Sequence, residues 1–524
     1  MGIYLNPDND NFKAILTREI YVDKTEMLSV LNNFMATDNK YICVSRPRRF
    51  GKTITSNMIA AYYSKNCDSA NLFSPLKISK KTDYFSNLNK YNVIKIDLNS
   101  EFQNIAEKDS LIKNLTKKIK SEFSKEFSDV PLDEKDTLGE SILKIYAQTK
   151  QNFIIIIDEY DVLVREKISN KLFSEYLSFL NGLFKSDTLK PAIALAYLTG
   201  ILPIVRDKIQ SKLNNFEEYT ILDSYELAEY VGFTAEEVIA LCKKYNIDFK
   251  ECKNWYDGYS QHGFEIYNPE SVVKSIQKKD FSSYWGKTST YETISERIRA
   301  NFKGTKDDVI KMLSGENIDV NVTRFMNTMN SFNTKSDVFT YLIHLGYLAY
   351  DRIEKTCRIP NKEVRQEWFN AIETESEYKI TNSIIQSSKE LVQETLQGNE
   401  EAVAKALDIS HIHVTSNRSY NNEDALQSAI YLSFIYALNK YSCVKEMTTG
   451  NGFADVVYIP LNKQDPALII ELKRNSCSES ALTQIKEKKY FESLFHYSGN
   501  IIFIGINYNE KTKKHTCKIE KFIK

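Results

Sequence analysis

The residues Gly51, Lys52 and Thr53 lie where a predicted short strand, residues 41–45, turns into a predicted helix. Free N–H groups at the start of a helix, together with the helix dipole, attract an anion such as phosphate. Lys52 is placed to reach the β- and γ-phosphates of a nucleotide, and the Thr53 hydroxyl is placed to ligate Mg²⁺. A strand, a turn and a helix beginning Gly-Lys-Thr therefore predict a phosphate-binding loop.

The turn before this helix is unusually basic. Arg46 stands five positions before Gly51, where most phosphate-binding loops have their first glycine, and Arg48 and Arg49 add further positive charge. These arginines either contact phosphate directly or form ion pairs with the acidic end of another strand, and the sequence leaves both interpretations open. The predicted nucleotide-binding residues are Arg46, Pro47, Arg48, Arg49, Phe50, Gly51, Lys52, Thr53 and Ile54.

Acidic residues follow a second apolar run about a hundred residues later. Residues 153–157 are all apolar and precede Asp158, Glu159 and Asp161. Such a run predicts a parallel strand buried on both faces, and ligands bind at the carboxyl ends of these strands. We expect Asp158 to hold Mg²⁺ through water and Glu159 to orient or deprotonate an attacking water. Alternatively the acids cap a helix, which explains Asp161 best.

Two more predicted strands, residues 93–98 and 192–199, alternate with helices. This alternation predicts an α/β fold with a parallel sheet covered on both faces. Thr199 ends one of these strands and is predicted to sense the state of the nucleotide beside its γ-phosphate. Arg206 follows and has three interpretations: an arginine finger within the chain, one supplied to a neighbouring copy in a homo-oligomer, or a surface arginine.

Several motifs resemble those of the AAA-ATPase-like family of mostly prokaryotic proteins. They are SRPRRFGKT (45–53), IIIIDEYD (154–161), TGILPI (199–204), KNWYDGYS (253–260) and LIHLGYLAY (342–350). The resemblance implies that ATP binds here and is hydrolysed, and that Arg46 belongs to the family pattern and does not mark an inactive site. It also implies a C-terminal domain that resembles the PD-(D/E)XK nuclease superfamily.

The C-terminal part contains a matching set of residues. Asp455 lies in one predicted strand, Glu471 and Lys473 alternate on the next and so share a face, and Gln484 lies on a later helix. Glu423 is on the buried side of a preceding helix, where a carboxylate needs a partner or a metal. In the PD-(D/E)XK arrangement the acids, Asp455 and Glu471 above all, bind Mg²⁺ or Mn²⁺, and Lys473 positions water.

The length of 524 residues predicts more than one hydrophobic core. We expect an ATPase-like domain over residues 1–225, a helical, winged-helix-like coupling region over 226–385, and a nuclease-like domain over 386–524. The eight cysteines are scattered without a Cys-x-x-Cys pair, which favours a reducing, cytoplasmic location over structural zinc. Without an apolar run of about 20 residues, no membrane partner is expected.

The net charge of the whole chain does not indicate a charged partner, but the charge of its C-terminal segment does. The 69 basic and 69 acidic residues cancel, which excludes a global attraction to nucleic acid or membrane. Residues 473–524, however, contain 11 Lys or Arg against 5 Glu. This local excess suits a polyanionic partner, with DNA favoured over RNA, although a solvated charged tail would show the same composition.

Three hypotheses follow. The first is an ATP-driven or ATP-gated, metal-dependent nuclease. The second is an ATP-dependent regulatory switch whose nuclease-like domain only binds nucleic acid or a protein partner, and the third makes the C-terminal sheet a dimerisation module. The intact set of Asp455, Glu471 and Lys473 favours the first hypothesis, because a domain that only binds does not need all three.

Overall fold

The computed structural model divides the chain into two compact units. The first contains residues 1–288, 301–304 and 317–364, and the second contains residues 289–300, 305–316 and 365–524. The structure describes residues 2–35, 37–166, 168–204, 213–285, 290–299, 302–313, 315–323, 325, 332–374, 379–415, 430–431, 433–449, 452–460, 465–490 and 499–522. The predicted site residues Arg206 and Glu423 lie outside these ranges.

A parallel five-stranded sheet forms the centre of the first unit. Its strands are β1 (Tyr41–Ser45), β2 (Asn92–Asp97), β3 (Phe153–Asp158), β4 (Ile193–Gly200) and β5 (Glu217–Tyr219). Their order is β2-β3-β4-β1-β5, and every neighbouring pair is parallel. All residues of β1, β3 and β4 are buried, as expected for strands covered on both faces. The predicted α/β sheet is confirmed.

Ten helices of the described chain precede or connect these strands. They are α1 (Asp10–Leu16), α2 (Met27–Phe34), α3 (Lys52–Tyr63), α4 (Ala70–Phe73), α5 (Tyr84–Asn87), α6 (Leu98–Asn104), α7 (Leu111–Glu126), α8 (Leu138–Thr149), α9 (Val162–Arg165) and α10 (Asn170–Phe184). Helices α7, α8 and α10 bury apolar residues such as Leu115, Ile142 and Leu180 in one core with the sheet. That core fixes the strand ends at which ligands bind in this fold.

The middle of the chain combines helices with two small antiparallel sheets. The helices are α11 (Ala235–Tyr245), α12 (Phe249–Tyr256), α13 (Pro269–Lys278), α14 (Thr290–Ile298), α15 (Thr305–Leu313), α16 (Lys335–Leu345) and α17 (Lys362–Thr374). The sheets contain β6 (Phe233–Thr234), β7 (Tyr259–Gln261) and β8 (Phe264–Tyr267), and β9 (Ile318–Asp319), β10 (Ala349–Asp351) and β11 (Thr356–Arg358). Most of residues 226–364 belong to the first unit, so the predicted boundaries at 225 and 385 do not coincide with the division between the units.

The second unit is built on another five-stranded sheet. Its strands, β12 (Tyr441–Thr449), β13 (Gly452–Pro460), β14 (Ala467–Arg474), β15 (Ile501–Asn509) and β16 (Lys514–Phe522), are neighbours in chain order. Only the pair β14–β15 is parallel. Helices α18 (Lys379–Gln397) and α19 (Glu400–Thr415) precede the sheet, and α20 (Ser478–Glu487) connects β14 to β15. The predicted C-terminal α/β domain is confirmed. Within the described ranges, no helix has the length and apolar character needed to cross a bilayer.

Candidate functional sites

The turn between β1 and α3 brings Lys52 into contact with the acidic end of β3. Gly51 precedes the helix with a left-handed φ of 93°, a conformation that favours glycine. Lys52 is buried; its Nζ donates a hydrogen bond to the Pro47 carbonyl at 3.0 Å and lies 3.9 Å from Glu159 Oε1. Burial lowers the pKa of Lys52, and the charge of Glu159 opposes this shift. The ammonium group is therefore held at the start of α3, where an anion would bind.

Asp158 faces the first turn of the same helix. Ser56 Oγ donates a hydrogen bond to Asp158 Oδ2 at 3.1 Å. Burial raises the pKa of Asp158, while a hydrogen bond from Thr53 and the charge of Lys52 lower it. The structure thus brings together Thr53 and Asp158, the two residues predicted to ligate nucleotide-bound Mg²⁺.

Glu159 follows with a strained backbone and an unexpected partner. Its φ of 52° lies in the left-handed region, which a residue with a side chain rarely adopts. Glu159 Oε2 accepts a hydrogen bond from an Nη of Arg165 at 2.6 Å, while Oε1 faces Lys52. Burial raises the pKa of Glu159, and the charges of Lys52 and Arg165 oppose this shift. Sequence reasoning missed Arg165, although its spacing of four residues from Asp161 was an available signal.

Asp161 has a structural role at the end of β4. Its Oδ2 accepts hydrogen bonds from the backbone N–H groups of Ile201 at 3.1 Å and Leu202 at 2.9 Å, and from Arg165 Nε at 2.9 Å. Asp161 does occupy the N-cap position of α9, as the alternative interpretation proposed, but its side chain makes no capping hydrogen bond. A Cβ on Gly200 would lie 2.4 Å from Asp161 Oδ1, so glycine leaves the space that this carboxylate occupies.

Arg46 contacts backbone carbonyls, an arrangement that neither interpretation of the basic turn described. It is fully buried, and its Nη1 donates hydrogen bonds to the carbonyls of Ser45 at 2.9 Å and Tyr219 at 2.8 Å. Burial lowers its pKa to about 10. The guanidinium joins β1 to β5 through these carbonyls, so the ion pair with the acidic strand end is not the arrangement of Arg46 in this structure. The nucleotide-binding role of Arg46 stays a prediction. The cations that do meet those acids are Lys52 and Arg165.

The other predicted loop residues have varied environments. Arg49 donates to the carbonyl of Tyr284, whereas Arg48 is exposed and keeps its interpretation as a phosphate contact. Phe50 is buried against Tyr259, with ring centroids 5.4 Å apart. Thr199 pairs in register with Asp158, but its buried hydroxyl donates to the Val44 carbonyl at 3.0 Å. The sensing role of Thr199 stays a prediction.

A cavity of about 480 Å³ lies beside α3 within the first unit. Gly51, at the N-cap of α3, and Ile54, Thr55 and Met58 of the helix form one wall. The remaining walls come from Phe12, Ile15, Arg18, Glu19, Ile20, Tyr21, Val22, Lys24, Arg49, Phe50, Tyr230, Gly232, Phe233, Pro269, Glu270, Val273, Lys274 and Gln277. The volume and the mainly apolar lining are typical of a pocket for a small organic ligand such as a nucleoside.

In the second unit, the Asp455 side chain accepts a hydrogen bond from the backbone of the neighbouring strand, just beyond the point where the regular pairing of the two strands ends. The pairing of β13 with β14 ends at Val456 and Ile470, immediately before Asp455 and Glu471. Leu472 N then donates to Asp455 Oδ2 at 2.7 Å. The Asp455 carboxylate is thereby fixed against β14, next to Glu471.

Glu471 has one oxygen with partners and one without. Its side chain is only 2% exposed, and Oε1 accepts hydrogen bonds from Lys473 Nζ at 3.3 Å and from Gln484 Nε2. Oε2 is buried and has no hydrogen-bond partner among the described residues. Burial, followed by the charge of Asp455, raises the pKa of Glu471 to about 7. Four predicted site residues therefore meet near the C-terminal end of β14: Asp455, Glu471, Lys473 and Gln484.

The donor set fits a hard divalent cation. Two neighbouring carboxylates, one with a buried oxygen that lacks a partner, are the oxygen ligands that Mg²⁺ and Mn²⁺ prefer. No group of three or more His, Cys, Asp or Glu residues forms a metal-binding set in the described part of the chain, and Glu423 lies outside it. Tyr490, which sequence reasoning missed, accepts a hydrogen bond from Gln484 Nε2 at 3.0 Å.

Comparison with known proteins finds a family match in each of two parts of the chain. Residues 9–210 match the family of predicted AAA-ATPases, and residues 421–518 match the PD-(D/E)XK nuclease superfamily. An uncharacterized protein in the vnfD 5' region of Azotobacter chroococcum mcd 1 is 24% identical over 281 residues, which are 52% of this chain and 51% of that protein. The chain thus spans about half the length of this curated relative.

Two solved structures are similar to this chain with low scores. Cdc6p from Pyrobaculum aerophilum is 9% identical with a TM-score of 0.26, covering 71% of this chain and 99% of that one. The Aeropyrum pernix ORC2 protein, solved as ADPNP–ADP complexes, is 10% identical with a TM-score of 0.27, covering 68% and 96%. Scores this low support no inference about function.

Proposed function

We propose that this chain, which joins an AAA-ATPase-like domain to a PD-(D/E)XK nuclease superfamily domain, hydrolyses ATP in the first and cleaves nucleic acid with a divalent metal in the second. The observation that carries the ATPase part is the convergence of Lys52, Asp158 and Glu159 at the start of α3. The phosphates of ATP would bind at this helix start, and the adenosine would occupy the cavity that includes Tyr21 and Ile54.

Each side chain of the ATP site then has a defined task. Lys52 Nζ donates to the phosphates in place of the Pro47 carbonyl. Thr53 and Asp158 would hold the Mg²⁺ that accompanies ATP, since their side chains already interact. Glu159 accepts a proton from the attacking water or orients it.

The observation that carries the nuclease part is the unpartnered, buried Oε2 of Glu471 beside Asp455. These two carboxylates would hold Mg²⁺ or Mn²⁺. When bound, such an ion polarises the scissile phosphate and lowers the pKa of water. Lys473 is partly exposed and 3.3 Å from Glu471, which places its ammonium group to orient water or to stabilise charge on a phosphate oxygen. The local excess of basic residues over 473–524 suits a nucleic acid, with DNA favoured over RNA.

Two variants test the ATPase. Lys52→Ala is expected to abolish ATP hydrolysis, because it removes the charge that reaches both phosphates. Glu159→Gln should still bind ATP but hydrolyse it about 10²- to 10⁴-fold more slowly, the range for loss of a general base. Lys65→Ala is the matched control, because Lys65 pairs with Glu126 at 3.6 Å away from this site. Wild-type turnover by Glu159→Gln would refute the role of Glu159.

A second set of variants tests the nuclease. With Mn²⁺, the wild type should cleave plasmid or single-stranded DNA, and parallel assays with RNA test the preference for DNA. Asp455→Asn should lose both Mn²⁺ binding in calorimetry and cleavage, whereas Lys473→Ala should bind Mn²⁺ without cleaving. Lys488→Ala, an exposed neighbour, is the control. If the wild type binds no Mn²⁺ at this site, the nuclease assignment fails and the regulatory switch becomes the better hypothesis.

A further inference from the structure

We infer that Arg165 is a positioning residue for ATP hydrolysis: it anchors one oxygen of Glu159 so that the other faces the phosphate end of the nucleotide. The inference rests on the ATPase activity proposed above and concerns the orientation of the Glu159 side chain at that same site. The role comes from three elements of the first unit: the end of β3, the short helix α9 and the end of β4.

The two oxygens of Glu159 have different partners. Oε2 lies 2.6 Å from Arg165, close enough for a charge-assisted hydrogen bond, whereas Oε1 lies 3.9 Å from Lys52 Nζ. Arg165 is only 10% exposed, so water competes little for its donors. One oxygen is therefore tightly held, and the other is directed at the ammonium group that would bind phosphate.

Arg165 is itself held from the opposite side. Its Nε donates to Asp161 Oδ2 at 2.9 Å, and that oxygen also accepts the N–H groups of Ile201 and Leu202. The planar guanidinium thus bridges two carboxylates with different nitrogens, which a lysine ammonium cannot do with the same geometry. Through this bridge the position of Glu159 depends on the turn after β4, a turn that the TGILPI motif supplies.

The backbone of Glu159 explains why an anchor is useful. Its left-handed φ of 52° turns the side chain out of the alternating pattern of β3. Glu159 N donates to Asp158 Oδ1 at 3.1 Å, and Tyr160 N donates to the Thr199 carbonyl at 3.1 Å, so the main chain is fixed on both sides. The remaining freedom is in the side-chain rotamer, and the contact with Arg165 removes it.

ATP binding should change one of these contacts and spare the other. Once Lys52 donates to the phosphates, Oε1 loses its nearby cation and becomes available to accept a proton from water. Arg165 is already engaged by Glu159 and Asp161, so its contact with Oε2 should persist when nucleotide binds. Glu159 would then keep its position while the acceptor oxygen is released.

A double-mutant cycle on the full chain tests this role. The variants are Arg165→Met, Glu159→Gln and the double variant, assayed for kcat, KM and ATP binding. Arg165→Met should lower kcat about 100-fold with little change in ATP affinity, the scale for a displaced catalytic group. In the Glu159→Gln background the same change should cost less than about threefold, because a positioning residue acts only through the group it positions.

Two further variants separate positioning from folding. Arg165→Lys keeps one charge and should recover part of kcat, whereas Arg165→Gln should not. Arg352→Met is the control, since it removes a surface arginine that pairs with Asp223 at 2.9 Å.

The outcomes are distinct. Losses that add in the double variant, or a raised KM at unchanged kcat, would overturn the positioning role and indicate a structural or phosphate-binding arginine. If Arg165→Met does not fold, as judged by thermal melting, the comparison of Arg165→Lys with Arg165→Gln decides the question in the same cycle. A wild type without ATPase activity would overturn the proposed function and this inference together, whereas active wild type with additive losses overturns the inference alone.

Discussion

The raised pKa of Glu471 makes the stability of the second unit depend on pH in a calculable way. Its folded pKa is about 7 against an ordinary value of 4.5, because burial and Asp455 disfavour the charged form. For a carboxyl whose folded pKa is raised, the folded state binds the proton more tightly than the unfolded state. The unit should therefore lose stability as pH rises from about 4.5 to 7, by about 3 kcal/mol in total.

Replacing Glu471 with glutamine isolates this effect. The variant cannot ionise at this position, so its stability around β14 should not fall between pH 4.5 and 7 as that of the wild type does. Because two units need not unfold together, hydrogen exchange of β14 peptides in the full chain is a better measure than a global melt. The free energy of opening, corrected for intrinsic exchange, should converge for the two proteins near pH 4.5 and differ by about 3 kcal/mol near pH 8.

Mn²⁺ provides the second half of the experiment. An ion bound by Asp455 and Glu471 offsets their repulsion, so saturating Mn²⁺ at pH 8 should raise the protection of β14 in the wild type and leave that of Glu471→Gln unchanged. Glu487→Gln, an exposed glutamate on α20, is the matched control. Parallel pH profiles for wild type and Glu471→Gln would refute the reasoning, since they would mean that Glu471 titrates alike in both states.

Two further predictions concern the first unit. Gly200→Ala should destabilise it by about 1–3 kcal/mol, because the new Cβ would lie 2.4 Å from Asp161 Oδ1. Gly182→Ala is the control: its Cβ meets nothing within 4 Å on α10, so thermal melting should show up to about 1 kcal/mol of stabilisation. Arg46→Met should lower the melting temperature through loss of the hydrogen bonds to Ser45 and Tyr219, while ATP affinity changes less than about twofold. A large loss of ATP affinity at unchanged stability would restore Arg46 as a phosphate contact.

The strands around the ATP site could be predicted because their sequence signal is local. Residues 41–44 and 153–157 are unbroken apolar runs, and the structure contains β1 and β3 there. The placement of Asp158 opposite the start of α3 then follows from the general position of ligands at parallel strand ends. The order of the strands could not be predicted, because apolar runs identify buried strands but do not say that β4 lies between β1 and β3.

The roles of individual arginines were beyond the sequence. A dense positive charge in a turn says nothing about where each side chain points, and Arg46 points at carbonyls between β1 and β5. The four-residue spacing of Arg165 from Asp161 could have indicated that one ion pair, but α9 has only four residues and shows no periodicity that would predict the contact with Glu159. At the second site, alternation along β14 correctly placed Glu471 and Lys473 together, but the contribution of Tyr490 comes from a residue beyond α20 that no spacing rule connects to them.

Each of the two sites contains a largely buried glutamate. The charges around the two glutamates differ, and this difference predicts how strongly each site depends on a divalent metal. In each, one oxygen is held by side-chain donors and the other is left to act: Arg165 holds Glu159, and Lys473 with Gln484 holds Glu471. Glu159 lies between two cations that counter its desolvation, which favours the ionised form that a base requires. Glu471 has one cation, an amide and a neighbouring carboxylate, so its pKa stays at about 7, and a bound metal would favour its ionised form. Removing divalent metal should therefore impair the second site at its ligands, whereas at the first site it removes only the ion that accompanies ATP.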